Sequence, residues 1–523
     1  MSIFSAIRGL FEDAIDSDDR KKIERRTQGN HDGYDYRLDL GEPAAGEPFR
    51  FLAVGDSGSG GRHKPDKFRV ANVMAQEESI DLVLHLGDLV YLSGSKEGYP
   101  SRFIKPYRQW LQRGDDHSYD DMVFKKPFLP IYGNHDYYDF ARIALPGAVS
   151  HEIGTGSRNG RVFEKAFVET GNSVHNGKLP YRPGQRTRIP NRYYWFTYGN
   201  CAFFALDSNT LDGLPETPPQ DSRAMWLRRK LAKERSGYLK KQLDVYEEAR
   251  RDGKISAAAF RHAEEQLMDD LAESEKEAVM LKKALKADAE DHDSQQLEWL
   301  RRVMGHSDVA GKWKIVYLHH PLYVSEESHT DDPERIGIRK NLRQILVEQG
   351  VHLVLSGHAH CFEWVRRAPA EGGSSGEEQQ LSEKEGRICY IISGGGGRKL
   401  RGSVLEEEVP PFDRTDADDP GGFPALKKQI QFLDVADSIA YAEKFHFLKV
   451  EVRDDVIKVF PVGVTKEEQA ESPLGVGRLE RQAEPEEGDQ DGMLLVKKSA
   501  AQLDYIAVFR NKAPQPQPPF ESE

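Results

Sequence analysis

Seven side chains able to donate oxygen or nitrogen to a metal ion recur at one kind of place in this sequence, the polar end of a short apolar run. They are Asp56 in "FLAVGDSGSGG", Asp88 and Tyr91 in "LVLHLGDLVY", Asn134 in "FLPIYGNHDYY", His319 in "WKIVYLHHPLY", and His358 with His360 in "VHLVLSGHAH". His135, Asp136 and His320 stand beside them. No cysteine belongs to the set, which excludes a thiolate zinc site. Mixed carboxylate, amide and imidazole donors suit catalytic first-row metals instead. A single catalytic ion with an open position needs three or four protein ligands; seven donors are about right for two ions sharing a carboxylate. Two ions roughly 3.5–4 Å apart can clamp both sides of an in-line displacement at phosphorus, and dimetal amidohydrolase chemistry uses a similar clamp.

Placing such donors together takes a scaffold of strands. From about Pro48 apolar strand signals alternate with helical stretches, and each strand loses its apolarity at its C-terminal end, the pattern of α/β layering. "RYYWFTYGNCAFFALDSN" reads as a hairpin around Gly199-Asn200 that leads to Asp207, and "RICYIISGGGG" as a buried strand with a glycine exit. "HFLKVEVRDDVIKVFPVGV" reads as a hairpin turning at Asp454-Asp455. Between 211 and 292 the chain becomes highly charged, with Leu239, Leu243, Tyr246, Phe260, Leu267 and Leu271 at helical steps; Gly253 ends one helix and Ser256 caps the next. This predicts an inserted helical hairpin, either a decoration packed on itself or a surface for a protein partner or a second copy. Residues 368–386 have the composition of a flexible loop. Residues 464–523 read as an acidic linker and a proline-rich tail holding one strand, "QLDYIAVFRN", and residues 1–47 as an N-terminal amphipathic helix and lead-in to a catalytic domain over 48–463.

The charge of −13 over 523 residues disfavours nucleic acid as the main partner, because phosphate backbones are bound by basic surfaces. It does not disfavour a small phosphorylated substrate, whose local field a metal can set. Three cysteines without framework spacing fit buried thiols in a reducing compartment. No apolar run reaches transmembrane length. The N-terminal stretch lacks a continuous apolar signal core, because Ser5 and Arg8 interrupt it. Its apolar residues recur at helical spacing, which suits docking on the protein's own surface or reversible membrane attachment. The expected location is cytoplasmic.

The ordered blocks "GDSG", "GDLVY", "GNHD", "VYLH" and "GHAH" resemble the five motif blocks of the calcineurin-like metallophosphoesterases, and Tyr91 points to the purple acid phosphatase branch. That resemblance implies a four-layer α/β-β/α sandwich with the helical hairpin inserted. It also implies roles. Asp56, Tyr91 and His360 resemble ligands of one metal, Asn134, His319 and His358 resemble ligands of a second, and Asp88 resembles the carboxylate bridging them. His135 resembles the histidine that contacts the phosphoryl group and protonates the leaving oxygen. His63, His320 and Arg398 are candidate substrate contacts, each with a competing reading as a supporting or surface residue.

The reaction implied is hydrolysis of a phosphate ester, with monoesters first, by a hydroxide bridging two metals. Phosphodiesters or nucleotides on the same site are the enzymatic alternative, and a partner-binding scaffold is the non-enzymatic one. A phenol with an ordinary pKa of about 10 is a poor ligand unless a strong Lewis acid stabilises the phenolate, so Tyr91 favours Fe(III) paired with divalent Fe, Zn or Mn. Two divalent ions are the alternative. The first block lacks the bulky residue that several relatives carry after the aspartate.

Overall fold

Each of the apolar runs that ends in a metal-capable residue is a short strand buried on both faces, which explains why none alternates in polarity. The computed structural model describes residues 34–43, 48–58, 66–91, 94–137, 160–169, 178–211, 222–257, single positions from there to 271, 294–326, 329, 333–366, 376–403, 438–476, 478–479, 494–499 and 502–509. The expected helix within the first residues of the chain lies outside them.

The strands form two large sheets. From edge to edge, the first runs β17 (Arg478–Leu479), β12 (Ser438–Ala442), β10 (Phe362–Val365), β11 (Cys389–Ser393), β9 (Leu353–Ser356), β8 (Trp313–Leu318), β7 (Cys201–Ala205), β6 (Tyr194–Tyr198), β1 (Arg37–Asp39) and β5 (Lys178–Pro180). The second runs β16 (Leu474–Gly475), β19 (Gln502–Phe509), β14 (Val456–Val464), β13 (His446–Val452), β2 (Phe49–Val54), β3 (Leu82–His85) and β4 (Phe128–Pro130). β15 (Ala470–Glu471) pairs with β14, and β18 (Leu494–Ser499) with β19.

The centre of each sheet is parallel: β7, β8, β9 and β11 in the first, β2, β3 and β4 in the second. The two expected hairpins are present. Tyr198 pairs with Cys201 around Gly199-Asn200, and Val452 pairs with Ile457 around Asp454-Asp455. The sheets meet through aromatic side chains, with the Phe51 and Phe203 rings edge to face at 5.4 Å. One continuous apolar core joins both sheets. Truncating a ring such as Phe203 to alanine there costs about 3–5 kcal/mol.

Helices cover the outside. α1 (Asp66–Met74) packs on β13 and β14, α4 (Ser294–Met304) against α5 (Pro333–Glu348), and α5 against α6 (Gly376–Glu385). The short α2 (Arg161–Phe167) buries Phe163 and Phe167. The long α3 (Ser222–Arg251) starts the charged segment. Gly253 follows it with a left-handed φ of +68°, and Phe260 N donates to Ser256 O at 2.9 Å as a new helical stretch begins. Leu239 and Leu243 of α3 pack on Leu271, so this first part of the insertion carries a small core of its own.

The boundaries read from composition are too narrow. β1, read as part of the lead-in, pairs with β5 and β6 inside the first sheet. β19, read as part of a tail, pairs with β14 in register over Val456–Val459. Residues 376–385, read as flexible loop, form α6, whose buried Glu385 receives the Arg343 guanidinium at 2.7 Å. Composition describes what faces water, whereas edge strands and a covering helix need only a few buried residues.

Candidate metal centre

Parallel strands bring their C-terminal ends to a common edge, where α/β sheets place their ligands. β2 exits into Asp56, β3 into Asp88 and β4 into Asn134; from the facing sheet β8 exits into His319, and β9 into His358 and His360. The turns are tight. Asp56, Asp88 and His358 all have left-handed backbones, with φ of 59°, 55° and 68°. A non-glycine residue held there costs about 1–3 kcal/mol and persists only where its surroundings fix it. Those surroundings are hydrogen bonds: Asp56 N donates to Gly87 O at 3.1 Å and His358 N to Asp56 Oδ2 at 2.8 Å. At Gly133 any Cβ would collide with Asp88 Oδ1, which explains the glycine before Asn134.

The seven donors divide into two groups around Asp88. In one group the Tyr91 hydroxyl donates to Asp56 Oδ1 at 2.6 Å and lies 3.1 Å from His360 Nε2, which is 3.7 Å from the same carboxylate oxygen. In the other group His319 Nε2 is 3.0 Å from Asn134 Oδ1 and 3.3 Å from His358 Nδ1. Asp88 Oδ1 lies 3.5 Å from His319 Nε2. Ligand atoms of Asp56, Asp88 and His319 all fall within 4.8 Å of one another. His319 Nδ1 faces Leu86 O at 2.8 Å, which turns Nε2 inward and fixes the tautomer.

The electrostatics suit a cation. Burial raises the Asp56 carboxyl well above its ordinary range, and the neighbouring Asp88 charge adds to the effect. Burial likewise drives His319 and His360 well below the ordinary imidazole range, which leaves neutral rings with lone pairs for a metal. The Tyr91 phenol is raised well above its ordinary value by burial and by the Asp56 and Asp88 charges. Two buried carboxylates a few ångströms apart are costly without a compensating cation, and the seven residues therefore fit a pair of metal ions.

The remaining expected site residues fall in different places. His135 N donates to Asp88 Oδ1 at 3.0 Å, and its Nε2 is 4.0 Å from Asp88 Oδ2, with the ring beside Tyr91 at 4.4 Å. His320 is buried; its Nδ1 bonds Ser208 Oγ at 2.8 Å while its ring lies 4.4 Å from that of His358. The Arg398 guanidinium lies over the Tyr91 ring at 4.5 Å. His63 lies outside the described residues. Asp136 caps loops: it accepts Leu89 N and Gly133 N, each at 3.0 Å. Asp207 pairs with buried Arg192 at 3.0 Å and caps the turn that carries Ser208. His352 accepts Lys314 N at 3.1 Å, a structural contact.

Sequence reasoning missed His329. It is buried, packs its ring at a tilt against that of His358 with centroids 4.0 Å apart, and has its Nε2 3.5 Å from Glu326 Oε2. Burial, with His358 beside it, drives its pKa well below the ordinary value. No strand end marks it, since it sits ten residues past His319 in irregular chain; a further histidine in the loop after a ligand strand was the available signal.

Comparison with known proteins gives a concordant result. The sequence model for calcineurin-like phosphoesterases matches residues 49–254 and 271–362. Purple acid phosphatase 22 of Arabidopsis thaliana is 29% identical over 122 residues, 23% of this chain and 25% of that protein. Purple acid phosphatase 17 of the same plant is 30% identical over 100 residues, 19% of this chain and 24% of that protein. The chain thus spans about a quarter of the length of these curated relatives. Among solved structures, the purple acid phosphatase PPD1 from yellow lupin (Lupinus luteus) seeds superposes with a TM-score of 0.43 at 14% identity, covering 82% of this chain and 53% of that one. Among the described residues, no helix is long and apolar enough to cross a membrane.

Proposed function

This chain belongs to the calcineurin-like phosphoesterase family, and on that premise we propose that it hydrolyses phosphate monoesters at a two-metal centre. The observation that carries the reading is the division of the donors: Asp56, Tyr91 and His360 on one side, Asn134, His319 and His358 on the other, with Asp88 between. Asp56, Tyr91 and His360 would hold one ion, Asn134, His319 and His358 the second, and Asp88 both. The bound ions would supply Lewis acidity, polarising phosphoryl oxygens and lowering the pKa of water.

The protein's own residues do the rest. His135 is less buried than the seven candidate ligands, with 12% of its side chain exposed, and on this reading it serves the leaving ester oxygen. Its imidazole hands a proton to that oxygen, a contribution of about a hundred- to ten-thousand-fold. His320 and His329, whose rings pack at a tilt against that of His358, would offer hydrogen bonds to phosphoryl oxygens. The Tyr91 phenol resists ionisation because it is buried among carboxylates, so its phenolate calls for Fe(III), with Fe, Zn or Mn as the divalent partner.

The test combines metal analysis with turnover. Purified protein should hold about two metals per chain, one of them iron, and hydrolyse p-nitrophenyl phosphate faster than bis-p-nitrophenyl phosphate. Faster diester cleavage would replace the monoester assignment. A metal-replete protein that cleaves neither ester would refute hydrolysis.

A further inference from the structure

The contact between Arg398 and Tyr91 has no part in the ligand set, yet the chain builds it with care. Arg398 follows β11 through the glycine run Gly394–Gly397. That run is pinned to the ligand loops by backbone bonds: Gly55 N to Ser393 O at 2.8 Å, Gly394 N to Cys361 O at 3.1 Å, Gly396 N to Gly55 O at 3.0 Å and Arg398 N to Asp56 O at 3.1 Å. A Cβ at Gly394 would collide with Ala359 O, so the run approaches the histidine-bearing loop as closely as backbone can. Its outcome is a guanidinium 4.5 Å above the ring of a fully buried tyrosine.

We infer that Arg398 tunes Tyr91 as a metal ligand: its cation, stacked on the phenol ring, stabilises the electron-rich ring and sets how readily that ring gives up charge to the metal. The inference rests on the proposal that Tyr91 binds Fe(III) as the phenolate. Cations are attracted to the face of an aromatic ring, and a phenolate ring carries more negative charge than a phenol. Optical charge transfer moves electron density from the ring to iron, leaving the ring more positive beneath a fixed positive charge. Arg398 therefore raises the energy of the transition, and this role differs from binding the substrate phosphate.

The experiment is the visible spectrum of the iron-loaded protein and of Arg398→Gln and Arg398→Lys, with iron content and circular dichroism matched. Removing a unit charge at this distance should move the tyrosinate band to longer wavelength by on the order of 20 nm in Arg398→Gln. Arg398→Lys, which keeps a charge but loses the planar stack, should shift it less and in the same direction. A band unmoved in Arg398→Gln, with inorganic phosphate inhibiting more weakly, would overturn the inference and make Arg398 a substrate contact, leaving the iron–phenolate reading intact. An iron-loaded wild type with no band lost in Tyr91→Phe would refute the phenolate ligand itself, and the inference with it.

Discussion

The Tyr91 hydroxyl donates to Asp56 Oδ1 at 2.6 Å, so a cation held by both residues, as proposed, would have to displace the proton between them. On that assignment metal uptake releases a proton at this pair. Calorimetric titration of metal into the metal-free protein, in two buffers of different ionisation enthalpy, should count about one more proton released by the wild type than by Tyr91→Phe. Equal counts would mean that the phenol stays protonated and does not bind.

His135 and His319 should fail differently. His135→Ala should keep both metals and lose about a hundred- to ten-thousand-fold in kcat, with a smaller loss on p-nitrophenyl phosphate, whose leaving group needs little help from an acid. His319→Ala should drop the metal content from two to one per chain. If His135→Ala also lost metal, its imidazole contact with Asp88 would serve to hold that carboxylate in place.

The Arg192–Asp207 ion pair is fully buried at 3.0 Å, and Asp207 also caps the turn holding Ser208 against His320. Asp207→Ala leaves the guanidinium without its carboxylate and should cost about 3–5 kcal/mol in urea denaturation. Activity measured well below the midpoint should fall as well, since Ser208 loses its anchored turn. A change under 1 kcal/mol would mean the arginine finds another partner.

Acid should destabilise the metal-free protein through His446. Burial lowers its pKa from 6.5 to about 4, against the opposing bond to Lys444 O. Between these values the unfolded chain binds a proton that the folded one refuses. The stabilisation is thus fully present above pH 6.5 and lost as pH falls toward 4, about 3 kcal/mol in all. Folding stability measured from pH 7 to 4 should fall less steeply in His446→Gln. Parallel curves would mean that His446 is charged in the folded protein.

The sequence by itself marked the candidate donors, because each sits where a short apolar strand ends and its residue type shows what it can donate. Asp56, Asp88, Asn134, His319, His358 and His360 were legible for that reason, as were the two hairpins. Only the tertiary structure decided how they divide. That Tyr91, beside its near neighbour Asp56, also meets His360, and that His319, beside His358, also meets Asn134, depends on two sheets facing each other and bringing together residues 269 and 185 apart in sequence. His329 and the placement of Arg398 over Tyr91 were illegible for the same reason: their roles come from what stands next to them in space. The domain edges were misread because composition records solvent exposure, while β1, β19 and α6 are placed by backbone pairing and a few buried side chains. Local residue chemistry names the candidate donors; long-range pairing of the chain decides which of them stand together.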